Sequence, residues 1–156
     1  MTERPKRPRR NSAQYKRTRA EAHFKGYDSK MEVEVAEVFK TLGWQFAHSK
    51  KTYNFVGTYE ADFDLPHLGD DVVVEVKGFF RTPAEMAKYV HVKKANPHVK
   101  IIFIVKNPLA AYRKGVKSSI LDWCNKNGFL CLGLTDKTNW VRLIEEWLNV
   151  QIRDPS

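Results

Sequence analysis

Cysteine is nearly absent from the 156 residues: only Cys124 and Cys131 occur. Neither has metal-binding neighbours at ligand spacing, and both sit in apolar-patterned segments. Buried free thiols are therefore expected, and a reducing cytoplasm fits that usage. No run approaches the ~18 consecutive apolar residues of a membrane span, so no membrane partner is expected. No apolar stretch follows the basic N-terminus, which argues against a secretory signal. Pro5 and Pro8 spoil the amphipathic helix of a transit peptide. No internal repeat is visible. His48, His67, His91 and His98 occur singly, without ligand spacing, and read as structural or solvent-facing residues.

Acids are scarce in one place. Residues 1–30 hold ten Lys/Arg against three acids, net +7, while the other 126 residues carry 17 bases and 15 acids. The chain thus reads as a nearly neutral domain behind a basic arm. Residues 1–27 lack apolar periodicity and are expected to be a disordered arm. Its Arg9, Arg10, Lys16, Arg17, Arg19 and Lys25 suit a polyanion such as nucleic acid. A solvated tail without a specific partner is the bland alternative. Residues 28–150, rich enough in apolar side chains to bury a core, suit a single domain.

The apolar spacing predicts a helix over "SKMEVEVAEVFKTLG". Met31, Val35, Val38, Phe39 and Leu42 form one stripe, Ser29 caps the start and Gly43 stops it. "WQFAH" and "TYNFVGTYEADFDL" read as strands, the second broken by Gly57, and "DDVVVEVKG" as a strand with a buried face. "RTPAEMAKYVHVKKANP" is a helix, with Thr82 as cap, Pro83 in first position and Glu85 completing a capping box. "VKIIFIVK" is a buried strand, "KSSILDWCNKNG" a helix, "FLCLGL" a strand and "KTNWVRLIEEWLNV" a last helix. A three-stranded antiparallel meander followed by helical crossovers gives an α/β sandwich with a mixed sheet.

Six acids surround the valines of "YEADFDLPHLGDDVVVEVKGFF". Alternation puts Val73, Glu75 and Lys77 on one face of that strand and Val72, Val74 and Val76 on the other. Asp62 lies on the preceding strand, and a hairpin through "PHLGDD" can bring it beside Glu75. Two adjacent carboxylates repel unless a divalent cation lies between them. Mg²⁺ typically takes one or two carboxylates plus waters and phosphate oxygens, and the Val76 backbone carbonyl can add a ligand. Lys77 could orient or help deprotonate a metal-bound water, or stabilise charge on a phosphate. An ordinary Glu–Lys pair at a strand end is the alternative, because Glu-x-Lys alone is common. Asp64 reads as a surface acid or a substitute ligand. Glu34 and Glu37 read as solvent-facing.

"ADFDLP" followed by "VVVEVKG" resembles the PD-(D/E)xK nuclease motif, with Ala61 where that motif has proline. Within that superfamily the chain resembles the phage endonuclease I type of Holliday-junction resolvase from about Lys30 to Trp140. The resemblance also covers "MEVEVAEVFKTLGWQF", "KKANPHVKIIFIV" and "LDWCNKNGF". It implies a restriction-endonuclease-like mixed sheet flanked by helices, with an αβββαβ core. It further implies Asp62 and Glu75 as metal-binding acids, Lys77 as the catalytic lysine and Glu32 as the first-helix glutamate. Ser29-x-x-Glu32 is equally a capping box, and both roles stay open for Glu32.

The expected activity is a Mg²⁺-dependent endonuclease, with Mn²⁺ able to substitute, that cuts branched DNA such as four-way junctions. A restriction-like or repair endonuclease on duplex DNA is one alternative, and a non-catalytic nucleic-acid-binding protein of the same fold is another. Lys50, Lys51, Lys88, Lys93 and Lys94 are candidate phosphate contacts beside the arm. A homodimer is expected, with or without exchange of strands, because a junction must be cut on two opposed strands. Tyr53, Phe55, Val56 and Tyr59 in "SKKTYNFVGTY" offer the candidate interface.

Overall fold

The computed structural model describes residues 26–153 except 28, 50 and 56, with side chains as far as residue 149. Helix α1 (Lys30–Thr41) begins at Ser29, whose hydroxyl accepts the Glu32 N–H. It stops before Gly43, which sits at φ 70°, a left-handed position that favours glycine. Short strand β1 (Ala47–His48) follows, then β2 (Thr52–Phe55), β3 (Gly57–Glu60), β4 (Phe63–Asp64) and β5 (Val72–Lys77). Helix α2 (Pro83–Ala95), β6 (Lys100–Val105), α3 (Ile120–Lys126), β7 (Leu130–Gly133) and α4 (Trp140–Arg153) complete the order.

Five strands form one sheet in the order β1-β4-β5-β6-β7. The first three are antiparallel, and β5, β6 and β7 run parallel. This is the restriction-endonuclease-like α/β arrangement expected. Residue alternation sorts two cores onto the two faces of the sheet. Val72, Val74, Ile102, Ile104 and Leu132 pack with Val35, Phe39, Trp140 and Ile144 of α1 and α4. Val73, Ile101, Phe103 and Val105 pack with Tyr89 of α2 and Cys124 of α3. Both cysteines are buried free thiols, as expected.

The expected second strand is not continuous. Gly57, at φ 135°, lets Thr52–Glu60 fold back on itself, and β2 and β3 form a separate two-stranded hairpin. Only Phe63 and Asp64 of that run join the main sheet. The hairpin packs on the second core, where Tyr53 and Tyr59 are 7% and 2% exposed. This corrects the expectation for the candidate dimer interface. The aromatic surface on which it rested is buried within the same chain, with Phe55 packed against it. Val56 lies outside the described residues.

Candidate active site

The site lies where β5 runs out of an antiparallel partner. Strand β4 pairs only as far as Phe63, opposite Val74. One residue earlier, the Asp62 N–H donates to the Val74 carbonyl at 3.1 Å. The Asp62 side chain then takes over from the backbone, and its Oδ2 accepts the Val76 N–H at 2.7 Å. A carboxylate in this role must point along β5, which brings it beside the side chain of Glu75.

Glu75 is buried, on the face expected from alternation. Its Oε1 accepts from the Tyr89 hydroxyl at 2.8 Å and its Oε2 from the Tyr59 hydroxyl at 3.0 Å. Tyr89 comes from α2 and Tyr59 from the hairpin. Burial first, then the charge of Glu75, raises both phenols well above the ordinary 10.0, so they remain donors. Lys77 Nζ lies 3.4 Å from Glu75 Oε1 and 2.8 Å from Glu85 Oε1. Burial works against the Lys77 ammonium, but the two carboxylates outweigh it and hold its pKa above the usual lysine value. Lys77 is therefore a fixed cation in the metal-free protein, which suits charge stabilisation better than proton abstraction.

Glu85 was legible only as half of a capping box. Thr82 does cap α2, accepting the Glu85 N–H at 3.1 Å. The Glu85 carboxylate does not return to the cap. One oxygen holds Lys77, and the other accepts the Arg81 N–H at 2.8 Å. Burial disfavours its charge, yet those two donors lower its pKa.

Glu32 keeps both of its expected roles in play. Its carboxylate accepts from the Ser29 hydroxyl at 3.0 Å, and it is buried at the N-terminus of α1. It also lines a cavity of about 720 Å³ together with Asp62, Glu75, Val76, Lys77 and Glu85. A second polar cavity of about 160 Å³ adjoins Glu32 and Asp62 together with His48 and Ser49. Asp64 lines neither. It is half-buried on β4 rather than on the surface, with Oδ1 meeting no hydrogen-bond partner among the described residues. Glu34 and Glu37 are exposed, as expected.

Asp62 carries a pronounced electrostatic signature. Burial, and after it the charge of Glu75, pushes its carboxyl from the ordinary 3.8 up to about 8, against the opposing Val76 N–H. Glu32 adds to the same push. Hard carboxylate oxygens with an excess of negative charge are the donor chemistry of Mg²⁺. Among the described residues no three His, Cys, Asp or Glu side chains are gathered into a metal cage. Mg²⁺ does not need one, since waters and substrate phosphate complete its octahedron. Asp62, Glu75 and the Val76 carbonyl, with Glu32 beside them, fit that requirement.

The candidate phosphate contacts divide. Lys93 donates to the Val99 carbonyl at 3.2 Å and is partly buried, so its ammonium is directed into the fold instead. Lys88 lies over the rings of Tyr89 and Tyr59, at 4.9 and 5.6 Å. Lys51 donates to the Asp70 carbonyl, and Lys94 is exposed. Arg9, Arg10, Lys16, Arg17, Arg19, Lys25 and Lys50 lie outside the described residues. Lys30 and Arg81, exposed at the mouth of the larger cavity, are not marked in the sequence because isolated cations carry no pattern. Tyr89 is not marked there either, and Tyr59 is marked only as part of a candidate dimer interface.

The raised carboxyl has a measurable consequence. Between its ordinary value of 3.8 and about 8, folded Asp62 keeps a proton that the unfolded chain has released. Rising pH through that window therefore works against folding. Asp62→Asn removes the effect. The metal-free variant should melt about 3–6 °C above wild type at pH 8, with the gap closing towards pH 4, by scanning calorimetry. Parallel melting curves across that range would mean that Asp62 titrates as an ordinary carboxylate.

The family model for phage endonuclease I matches residues 12–152. No curated protein matches the chain.

Proposed function

The chain belongs to the phage endonuclease I family, and from that premise we propose a Mg²⁺-dependent endonuclease that cleaves branched DNA, four-way junctions above all. Membership assigns it to the endonucleases that act on DNA. The observation that carries the finer reading is the convergence of Asp62, Glu75 and Lys77 with Glu32 on one cavity at the end of β5. A protein that only bound DNA would have no use for acids clustered against phosphate.

Asp62, Glu75 and the Val76 carbonyl would hold the cation, and Mn²⁺ would serve in its place. An ion held there would supply Lewis acidity towards the phosphoryl oxygen and the attacking water. The protein's own groups do the rest. Tyr59 and Tyr89 fix the Glu75 carboxylate in one orientation. Lys77, steadied by Glu85, offers a cation to the charge that builds on the phosphate as the attacking water's oxygen bonds to phosphorus and one ester P–O bond breaks. Glu32, on the lining of the same cavity, would accept a hydrogen bond from that water. Lys30 and Arg81 at the mouth, Lys94, and the basic arm hold phosphates at a distance from the chemistry.

A junction is resolved by two cuts on opposed strands, so the active species is a homodimer, for which two-fold symmetry is the simplest arrangement. The buried hairpin tyrosines direct the interface to another surface. Light scattering should give twice the 18.1 kDa chain mass. A mass of one chain, unchanged on adding junction DNA, would exclude the dimer.

Glu75→Gln and Lys77→Ala should each slow cleavage by ~10²–10³-fold or more while leaving junction binding nearly intact. Labelled four-way junction and matching linear duplex, with and without Mg²⁺, provide the assay. Near-normal turnover in either variant would remove these residues from the chemistry. Cutting of linear duplex at the junction rate would remove the preference for branches. Deleting residues 1–24, which hold eight Lys/Arg, should weaken junction binding. It should also flatten the log–log salt slope by about 0.9 for each phosphate that the arm neutralises. An unchanged slope would free the arm of any part in binding.

A further inference from the structure

Phe79 is 55% exposed, one of three large hydrophobic side chains so placed among the described residues. Unlike Leu109 and Val141, it lines the cavity that holds Asp62, Glu75 and Lys77. An isolated surface phenylalanine needs no explanation. This one sits on backbone that the fold pins from both sides. Two residues before it, β5 ends at Lys77, paired with Val105 of β6, and two residues after it the Arg81 N–H is tied to Glu85 Oε2 at 2.8 Å. Its neighbour Phe80 is buried against the rings of Tyr89, Phe103 and Trp123, the last at 4.9 Å between centroids. The segment is thus anchored in the core one residue away, and Phe79 is presented to solvent from a fixed base.

Two exposed cations, Lys30 and Arg81, line the same cavity, along with the acids Glu32, Asp62, Glu75 and Glu85. An exposed aromatic ring with cations near it can bind a nucleotide, with the ring against a base face and the cations on phosphates. In a continuous duplex every base face is covered by the next pair. At a branch point the stack is interrupted and a face is open.

We propose that Phe79 stacks on the base exposed at the branch point and makes this site prefer branched DNA to continuous duplex. The proposal rests on the reading of the chain as a DNA endonuclease. It assigns a specificity role and no chemical step. Phe79→Ala removes the ring and leaves the acids, Lys77 and Glu85 in place, and Phe79→Trp restores an aromatic face.

The test uses the full chain with Mg²⁺ on a four-way junction and on linear duplex of the same sequence. Phe79→Ala should lower the junction-over-duplex ratio of kcat/KM by about 5- to 150-fold, the cost of losing one stacked base, and Phe79→Trp should recover it. 2-Aminopurine at the branch point, read in the Glu75→Gln background, should be quenched on binding, and Phe79→Ala should abolish the quench. An unchanged ratio in Phe79→Ala, or a quench that survives it, overturns the proposal. Equal cutting of junction and duplex by wild type also overturns it, while leaving the endonuclease reading intact. A wild type that cuts neither overturns that reading and the proposal with it.

Discussion

A carboxylate occupies a buried position on a strand otherwise made of valines, and much of this fold is arranged around keeping it there. Glu75 stands in the row of Val73, facing the core that fills the space between sheet, hairpin and α2. A charge at such a position without partners would cost several kcal/mol. The partners come from three separate places: Tyr89 from the crossover helix, Tyr59 from the hairpin, and Lys77 two residues along the same strand. The hairpin is not part of the main sheet, and its contribution to that core is largely the pair of tyrosines, one of which holds the buried acid. Packing and active-site geometry are here the same set of contacts.

Asp62 shows the opposite balance. Its hydrogen bond from Val76 does not compensate for burial and for the two acids around it, and its proton is retained to about pH 8. Glu75 and Glu32 thus both act against a charge on Asp62. A cation would relieve the repulsion that the fold alone leaves standing, which couples binding of the ion to the charge state of the residue that receives it.

Much of this could be read from the residues because periodicity and spacing are local. The helix with Val35 and Phe39, the valine strand, and the two faces of that strand followed from side-chain period alone. The acids and lysine followed from a motif whose spacing encodes a hairpin. What could not be read depends on partners distant in sequence. Nothing near Tyr89 announces that its hydroxyl meets Glu75, 14 residues away. Glu85 satisfied a local pattern, the capping box, and tertiary structure diverted its carboxylate to Lys77. The hairpin was illegible for a related reason. Tyr53 and Tyr59 alternate as a strand should, but Gly57 allows the run to pair with itself, and that choice is made by burial against α2.

The two oxygens of Glu85 also have a kinematic meaning. One grips the ammonium of Lys77 and the other the backbone that leads into α2, so the first turn of that helix and the lysine behave as a single rigid link. The same helix carries Tyr89, which grips Glu75. A shift of α2 against the sheet therefore bears on lysine and acid together, with Glu75 held also by Tyr59 of the hairpin. Asp62 is tied instead to β5, through the Val76 N–H.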